Sequence, residues 1–138
     1  MFQHETQLRV RYAETDQMGF VYYGQYATYF EVARVEALRS LGCTYRALED
    51  SGVLMPVTQF QIGYKKPALY DELLKIVTQI KQLPGVRIRF DYATYNPEGT
   101  LLNEAFTELV FLDATSRRVR KAPETLIQSL QPFFQDGI

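Results

Sequence analysis

The clearest pattern along the chain is an apolar stripe that repeats every three or four positions from about residue 22. This spacing places the apolar side chains on one face and predicts a helix from about Tyr22 to Leu41. Gly42 follows at the position where glycine commonly ends a helix. The stripe comprises Tyr22, Tyr26, Phe30, Ala33, Ala37 and Leu41. One long helix of this kind must bury its stripe against another element.

Alternating or β-branched segments predict strands on both sides of this helix. Strands are expected at 8–12, 60–64, 73–83, 86–92 and 101–113, and shorter helices at 44–50 and 123–132. The segment NPEG, residues 96–99, fits a type I turn. Short connections between consecutive strands are typical of antiparallel neighbours. The pattern therefore predicts an α+β fold, in which an antiparallel sheet wraps around one long central helix.

Length and composition narrow the class of protein. The 138 residues fit one domain, 1–138, and the net charge of −1 argues against nonspecific nucleic-acid binding. Cys43 is the only cysteine, so no internal disulfide forms, as is usual in a reducing compartment. No apolar run approaches the ~18 residues of a membrane span, and the first residues lack a signal-peptide pattern. A cytoplasmic protein without a membrane span or nucleic-acid partner is expected.

The scarcity of histidine restricts the chemistry further. His4 is the only histidine, and it lies near the N terminus. Ser-His-Asp and Cys-His systems need a histidine base, and a zinc cluster usually needs several histidines or cysteines. No metal site is expected, and any catalysis is expected to rest on carboxylates, tyrosines, backbone dipoles or a cofactor.

Asp16 and Gly19 stand in the segment TDQMG, six or seven residues before the predicted helix. A type I turn, with Asp first and Gly fourth, is a purely structural explanation. A loop of this length can also fold Asp16 back beside the helix N terminus, where unpaired N–H groups attract negative charge and can polarise a carbonyl. A carboxylate beside a backbone donor suits thioester hydrolysis, because the leaving thiol has a pKa of roughly 8.5 and departs without a strong general acid.

The stretch YAETDQMGFVYYGQYATYFEVAR resembles the signature of the 4-hydroxybenzoyl-CoA thioesterase family of hotdog-fold proteins. The matching residues are Tyr12, Asp16, Gly19, Val21, Tyr26, Phe30, Glu31, Ala33 and Arg34. The resemblance continues through YKKPALYDELL and GVRIRFDYATY, so it covers roughly residues 6 to 133. It implies a hotdog fold and an acyl-CoA thioester hydrolase. No cofactor is expected, since CoA is part of the substrate. The sequence does not identify the acyl group.

The resemblance also implies roles for single residues. Asp16 falls on the catalytic carboxylate, which acts as base or nucleophile, and the backbone N–H of Tyr23 falls where the thioester carbonyl is polarised. Many relatives have a histidine at the position of Tyr23, but a backbone donor survives that change. Arg87 is a candidate for the CoA phosphates, and Lys65-Lys66 are either solvated surface or further phosphate contacts. The substrate-binding positions are Gly19, Val21, Tyr22, Tyr26, Met55, Pro56 and Arg87.

A homo-oligomer, a dimer or a tetramer, is expected on two grounds. A sheet wrapped around one helix has exposed edges that invite pairing, and the resemblance implies an active site between protomers. The apolar segment VLMPV, residues 53–57, is the predicted contribution of the neighbour, because a surface connection would usually be more polar.

Two other functions fit parts of the sequence. One is a noncatalytic protein that binds an acyl group or another apolar ligand, although an unpaired buried Asp16 would be costly there. The other is a hotdog dehydratase acting on a carrier-bound hydroxyacyl chain, although such relatives usually use a histidine. Glu31 and Arg34, three residues apart on the helix, are expected either to pair on its surface or to brace the Asp16 loop.

Overall fold

The structure, a computed structural model, describes residues 1–135, so the last three residues of the predicted domain 1–138 lie outside the described residues. In chain order the elements are β1 (Phe2–Arg9), a 3-10 turn (Tyr12–Glu14), α1 (Gln25–Ser40), α2 (Tyr45–Asp50), β2 (Val53–Leu54), β3 (Val57–Tyr64), β4 (Leu73–Ile80), β5 (Arg87–Tyr95), β6 (Leu101–Val110), β7 (Leu112–Asp113), α3 (Glu124–Leu130) and a 3-10 turn (Gln131–Phe133). None of the described helices combines the length and apolarity that crossing a membrane requires.

Five strands form one antiparallel sheet in the order β1-β4-β5-β6-β3, and β2 pairs separately with β7. The consecutive strands β4, β5 and β6 are neighbours, as their short connections predict. The expectation of adjacent partners is wrong for β3 and β4, which lie on opposite sides of the β5–β6 pair. The connecting segment 65–72 is long enough to cross the end of the sheet. It is held there by Val21 N–H, which donates to Ala68 O (2.9 Å), and by Asp71 N–H, which donates to Val10 O (3.0 Å).

Helix α1 packs its apolar stripe against the inner face of this sheet. The Phe30 ring is fully buried, with its centroid 4.5 Å from that of Tyr92 and 6.0 Å from that of Phe60. Ala33 and Ala37 have no exposed surface, and their small side chains allow the helix to approach the strands closely. The predicted α+β architecture, a sheet wrapped around one long helix, is therefore confirmed.

The first strand and the start of the long helix differ from the sequence prediction. Strand β1 ends at Arg9, and Tyr12, the last residue of the strand predicted at 8–12, is 77% exposed in a 3-10 turn. The side chain of Glu14 accepts a hydrogen bond from Arg11 N–H at 2.9 Å, which turns the chain here. Helix α1 begins at Gln25 and not at Tyr22, because residues 22–24 form an entering turn.

Arg34 is a second departure. It was expected either to pair with Glu31 on the helix surface or to brace the Asp16 loop, but it is buried, and its Nε donates to Tyr45 Oη at 2.9 Å. Within residues 1–135 no ion pair joins it to Glu31, so the surface pair expected from their spacing does not form. Burial favours the contact with Tyr45 because a buried guanidinium needs acceptors close by.

Candidate active site

A pocket of about 360 Å³ lies where the C-terminal end of β3 meets the N terminus of α1. Three segments that are far apart in sequence form it: the loop before α1, the first turn of α1 and the connection after β3. The lining residues are Asp16, Met18, Phe20, Val21, Tyr23, Tyr26, Tyr64, Lys65, Lys66 and Pro67. One carboxylate and two ammonium groups thus stand in a largely apolar and aromatic pocket.

Asp16 begins a tight turn that carries it into this pocket. Gly19 N–H donates to Asp16 O at 3.1 Å, and Gly19 has a φ of +79°, a conformation that glycine adopts without strain. The Asp16 Oδ1 atom accepts from Met18 N–H (2.8 Å) and from Phe20 N–H (3.2 Å). Within residues 1–135, Asp16 Oδ2 accepts no hydrogen bond. The predicted turn is present, and one oxygen of the carboxylate holds it while the other stays available.

The chain enters α1 with backbone donors that have no acceptor within residues 1–135. Gln25 N–H donates to Tyr22 O (2.8 Å) and Tyr26 N–H to Tyr23 O (3.3 Å). Within the described chain, the N–H groups of Tyr23 and Gly24 donate to no acceptor. Unpaired N–H groups at a helix N terminus carry partial positive charge. Asp16 and Tyr23 therefore line one pocket, and Tyr23 has a backbone donor without an acceptor among the described residues.

The other predicted binding residues near α1 have different placements. Val21 and Tyr26 are buried and line the pocket, and the Tyr26 ring centroid lies 5.7 Å from that of Tyr64. Burial raises the pKa of Tyr26, so its phenol stays neutral at physiological pH. The Tyr22 ring is outside the lining and packs 4.8 Å from that of Tyr23. A Cβ at Gly24 would lie 2.7 Å from the Tyr22 ring, so only glycine fits this entering turn without displacing it.

Met55, Pro56 and Arg87 lie at the other end of the sheet. Pro56 O accepts from Val110 N–H at 3.1 Å, just before β3 begins. Arg87 begins β5, and its Nε lies 3.8 Å from Glu108 Oε1 with the side chain 57% exposed. An eight-residue strand separates this end from the pocket, a distance of roughly 25 Å. One chain therefore does not bring these three residues to Asp16.

Sequence analysis missed part of the lining and the carboxylate beneath it. Met18 and Phe20 stand within the Asp16 signature, where their spacing around Asp16 could have indicated them. Tyr64 and Pro67 carry no such signal, because only the crossing of segment 65–72 brings them here. Glu14 lies two residues before Asp16, and its burial was not foreseen. No cluster of three or more histidine, cysteine, aspartate or glutamate residues suited to a metal ion occurs in residues 1–135.

Comparison with known proteins identifies the family. The model of the thioesterase-like superfamily matches residues 10–130. The chain belongs to this superfamily. The chain is similar to YneP of Bacillus subtilis, with 40% identity over 110 residues, which are 80% of each chain. The acyl-CoA thioester hydrolase YbgC of Escherichia coli O6:H1 is 34% identical over 120 residues, 87% of this chain and 90% of its own.

Similarity to a solved structure supports the fold. A DHNA-CoA thioesterase from Staphylococcus aureus matches with a TM-score of 0.84 and 31% identity, over 99% of this chain and 97% of its own. The hotdog fold and the resemblance to the thioesterase family, both predicted from the signature around Asp16, are thereby confirmed.

Proposed function

We propose that the protein is an acyl-CoA thioester hydrolase that works in the pocket at the N terminus of α1. One observation carries this proposal: the Asp16 carboxylate and Tyr23, whose backbone N–H is unpaired among the described residues, line the same apolar pocket. The relatives support it, because YbgC is an acyl-CoA thioester hydrolase and the Staphylococcus aureus protein is a DHNA-CoA thioesterase. The products are a carboxylic acid and free CoA.

The geometry supports a division of roles between these two residues. The acyl group lies against Val21 and Tyr26, and its carbonyl oxygen accepts a hydrogen bond from Tyr23 N–H. That donor stabilises the negative charge that develops on the oxygen during attack. Asp16 either takes a proton from water as the water oxygen attacks the carbonyl carbon, or attacks with its own oxygen to form an anhydride that water then opens. In both routes the C–S bond breaks and CoA leaves as a thiolate.

The rim of the pocket fits the CoA part of such a substrate. Lys65 and Lys66 place two positive charges there, although Lys65 Nζ also lies 3.7 Å from Glu104 Oε1. Ammonium groups at this position attract the phosphates of CoA while the acyl group enters the apolar part. Because CoA arrives with the substrate, no separate cofactor is needed. A cytoplasmic location stays a prediction, supported by the single cysteine.

We further propose that the enzyme is a homo-oligomer joined through β3. This strand lies at the edge of the sheet, and nearly all its residues are exposed, including Val57 (45%), Phe60 (42%) and Tyr64 (52%). An apolar edge strand with free backbone groups favours pairing with another strand. A second copy of β3 is the natural partner, since two identical strands can pair antiparallel about a two-fold axis.

The same pairing would complete the site. In an antiparallel pair, outward-facing backbone groups of one strand bond to outward-facing groups of the other, so Phe60 lies opposite Ile62 of the partner subunit if two β3 strands pair about a two-fold axis. The same register places Val57 opposite the partner's Lys65, and Pro56 opposite the partner's Lys66. Both lysines line the pocket, so the segment predicted as the neighbour's contribution reaches the rim of the other active site. This agreement supports a shared site in a dimer, and a tetramer of two such dimers retains it.

Release of thiol from a panel of acyl-CoA substrates tests the activity. The panel contains aromatic, short aliphatic and long-chain thioesters, and free CoA is measured with a thiol-reactive dye. We expect enzyme-dependent release from at least one class. Binding of the thioesters without release would instead identify a noncatalytic acyl-binding protein.

A further inference from the structure

Glu14 is a buried carboxylate that the proposed chemistry does not use. Only 6% of the residue is exposed. Its Oε1 accepts from Arg11 N–H (2.9 Å) and Tyr29 Oη (2.8 Å), and its Oε2 from Arg11 Nε (3.0 Å) and Nη2 (2.9 Å). Burial acts to raise the pKa of Glu14, but these hydrogen bonds outweigh it and hold the pKa below the ordinary value of 4.5. Glu14 is therefore ionised at neutral pH.

The hydrogen bonds of Glu14 join the Asp16 loop to helix α1. Tyr29 lies one turn into the helix and is buried, so its hydroxyl offers a fixed donor. The backbone oxygen of Glu14 accepts from Tyr22 N–H at 2.8 Å, which closes the base of the loop between residues 14 and 22. Inside that loop, Asp16 N–H donates to Phe20 O at 2.8 Å. Glu14 thus contacts both the loop that carries Asp16 and the helix whose N terminus lines the pocket.

We propose that Glu14, held by Tyr29 and Arg11, is a positioning residue that fixes the Asp16 carboxylate relative to the N terminus of α1. This inference rests on the proposed function, in which Asp16 reacts and α1 supplies the carbonyl donor. Glu14 itself is not in the pocket lining, and both its oxygens are occupied by Arg11 and Tyr29. It therefore acts through Asp16 and not on the substrate.

Small displacements are sufficient to make this role measurable. A reacting group misplaced by about 1 Å can lose about 10²-fold in rate. Glutamine at position 14 keeps the size of the side chain and one acceptor oxygen, but it replaces the second acceptor with an amide that cannot accept from the Arg11 guanidinium. The loop then loses its charge-assisted contact while the fold around it is retained.

The test compares Glu14→Gln and Tyr29→Phe with a matched control. Glu36→Gln serves as that control, because Glu36 also pairs with an arginine three residues away, Arg39 at 3.4 Å, but on the exposed part of α1. We expect kcat to fall about tenfold in Glu14→Gln and about threefold in Tyr29→Phe, with KM within about twofold of the wild type. Glu36→Gln should match the wild type. Circular dichroism and Tm confirm that each variant is folded.

A double-mutant cycle with Asp16→Asn separates positioning from general destabilisation. If Glu14 works through the Asp16 carboxylate, Glu14→Gln changes the residual kcat of Asp16→Asn by less than about twofold. An equal tenfold loss in both backgrounds overturns the inference, as does full activity of Glu14→Gln beside an inactive Asp16→Asn. If the single variant Asp16→Asn is fully active, the proposed role of Asp16 is wrong. The inference about Glu14 then fails because it depends on that role, and not because of the Glu14→Gln result.

Discussion

The two ends of the sheet are organised in different ways. At the pocket end, the Asp16 loop, the first turn of α1 and the connection after β3 converge on one apolar space. Hydrogen bonds from the exposed Arg11 and the buried Tyr29 to the buried Glu14 support that end from beneath. At the far end, Arg87 is exposed and its Nε lies 3.8 Å from Glu108 Oε1, and Pro56 precedes an edge strand.

We infer from this difference that the two ends of the sheet have different roles. The groups that could react are brought together and held within one chain. In the proposed dimer, the residues at the far end reach a site only because another chain pairs with β3 and brings them to the opposite pocket. We therefore expect changes at the pocket end to act on kcat, and changes at the far end to act on assembly or substrate binding.

The largest effect is expected at the pocket end from Asp16→Asn. The asparagine Oδ1 can accept the same hydrogen bonds from Met18 and Phe20, so the turn is retained while the basic and nucleophilic carboxylate is lost. We expect kcat to fall by about 10²–10⁴-fold with little change in Tm. The control is Asp71→Asn, at an exposed aspartate 3.6 Å from Arg9, which should keep full activity. Hydrolysis by Asp16→Asn at the wild-type rate would refute the assignment.

A comparably large effect is expected when the backbone donor of Tyr23 is removed. Tyr23→Pro lacks the N–H, and proline is tolerated around a first helical turn, so the variant should fold. We expect kcat to fall about 10²–10³-fold, as for loss of an oxyanion-hole donor. Tyr23→Phe keeps the N–H and should stay within about threefold of the wild type. If Tyr23→Phe loses most of its activity instead, the phenol and not the backbone is the active group.

A smaller effect is expected from disrupting edge strand β3, through which two subunits are proposed to pair. Lys65 N–H donates to Leu102 O on β6, and the alternation along an antiparallel strand therefore directs Phe60 N–H away from β6. Phe60→Pro removes this outward donor and should produce a monomer with activity reduced about tenfold. Phe60→Ala loses the same side chain but keeps the donor, so it should remain oligomeric.

Light scattering at micromolar concentration measures this outcome. The wild type and Phe60→Ala should each have a mass of at least twice the 16.0 kDa of one chain, and Phe60→Pro should have the mass of a single chain. A wild-type protein that is monomeric and fully active would contradict both the oligomer and the shared site.

A modest effect is expected at the far end from Arg87→Ala. The exposed pair with Glu108 contributes little to stability, so Tm should hardly change. If Arg87 meets a CoA phosphate in the neighbouring site, KM for the acyl-CoA should rise about fivefold. KM for the same acyl group on pantetheine, which lacks phosphates, should not change. Lys75→Ala, also on the outer face of the sheet, is the control, and equal KM changes for both substrates would exclude a phosphate contact.

The smallest effect concerns stability at low pH. Because the folded-state pKa of Glu14 is lowered, its contribution is present above the ordinary pKa of 4.5 and is lost as the pH falls through the lowered value. Glu14→Gln should be less stable than the wild type by about 1 kcal/mol at neutral pH. That difference should shrink below pH 4.5. Urea titrations of both proteins across this range measure it, and a constant difference would show that ionisation of Glu14 does not contribute.

The sequence by itself determined the features that depend on neighbouring residues. The period of the apolar stripe located α1 to within three residues, and alternation located the start of β5 to within one residue. The turn from Asp16 to Gly19 was predictable because an aspartate acceptor and a glycine with positive φ favour it locally. These features are local, so their physical causes are all present in a short window of the chain.

Only the tertiary structure decided which distant segments meet. The crossing of segment 65–72 placed β3 at the far edge and brought Tyr64 and Pro67 into the pocket, although the connection length had suggested adjacent strands. Burial of Arg34, and the contact of Glu14 with Tyr29, likewise depend on how the helix lies on the sheet. Strand order and the burial of polar groups are set by contacts between residues far apart in sequence, which neither periodicity nor turn chemistry records.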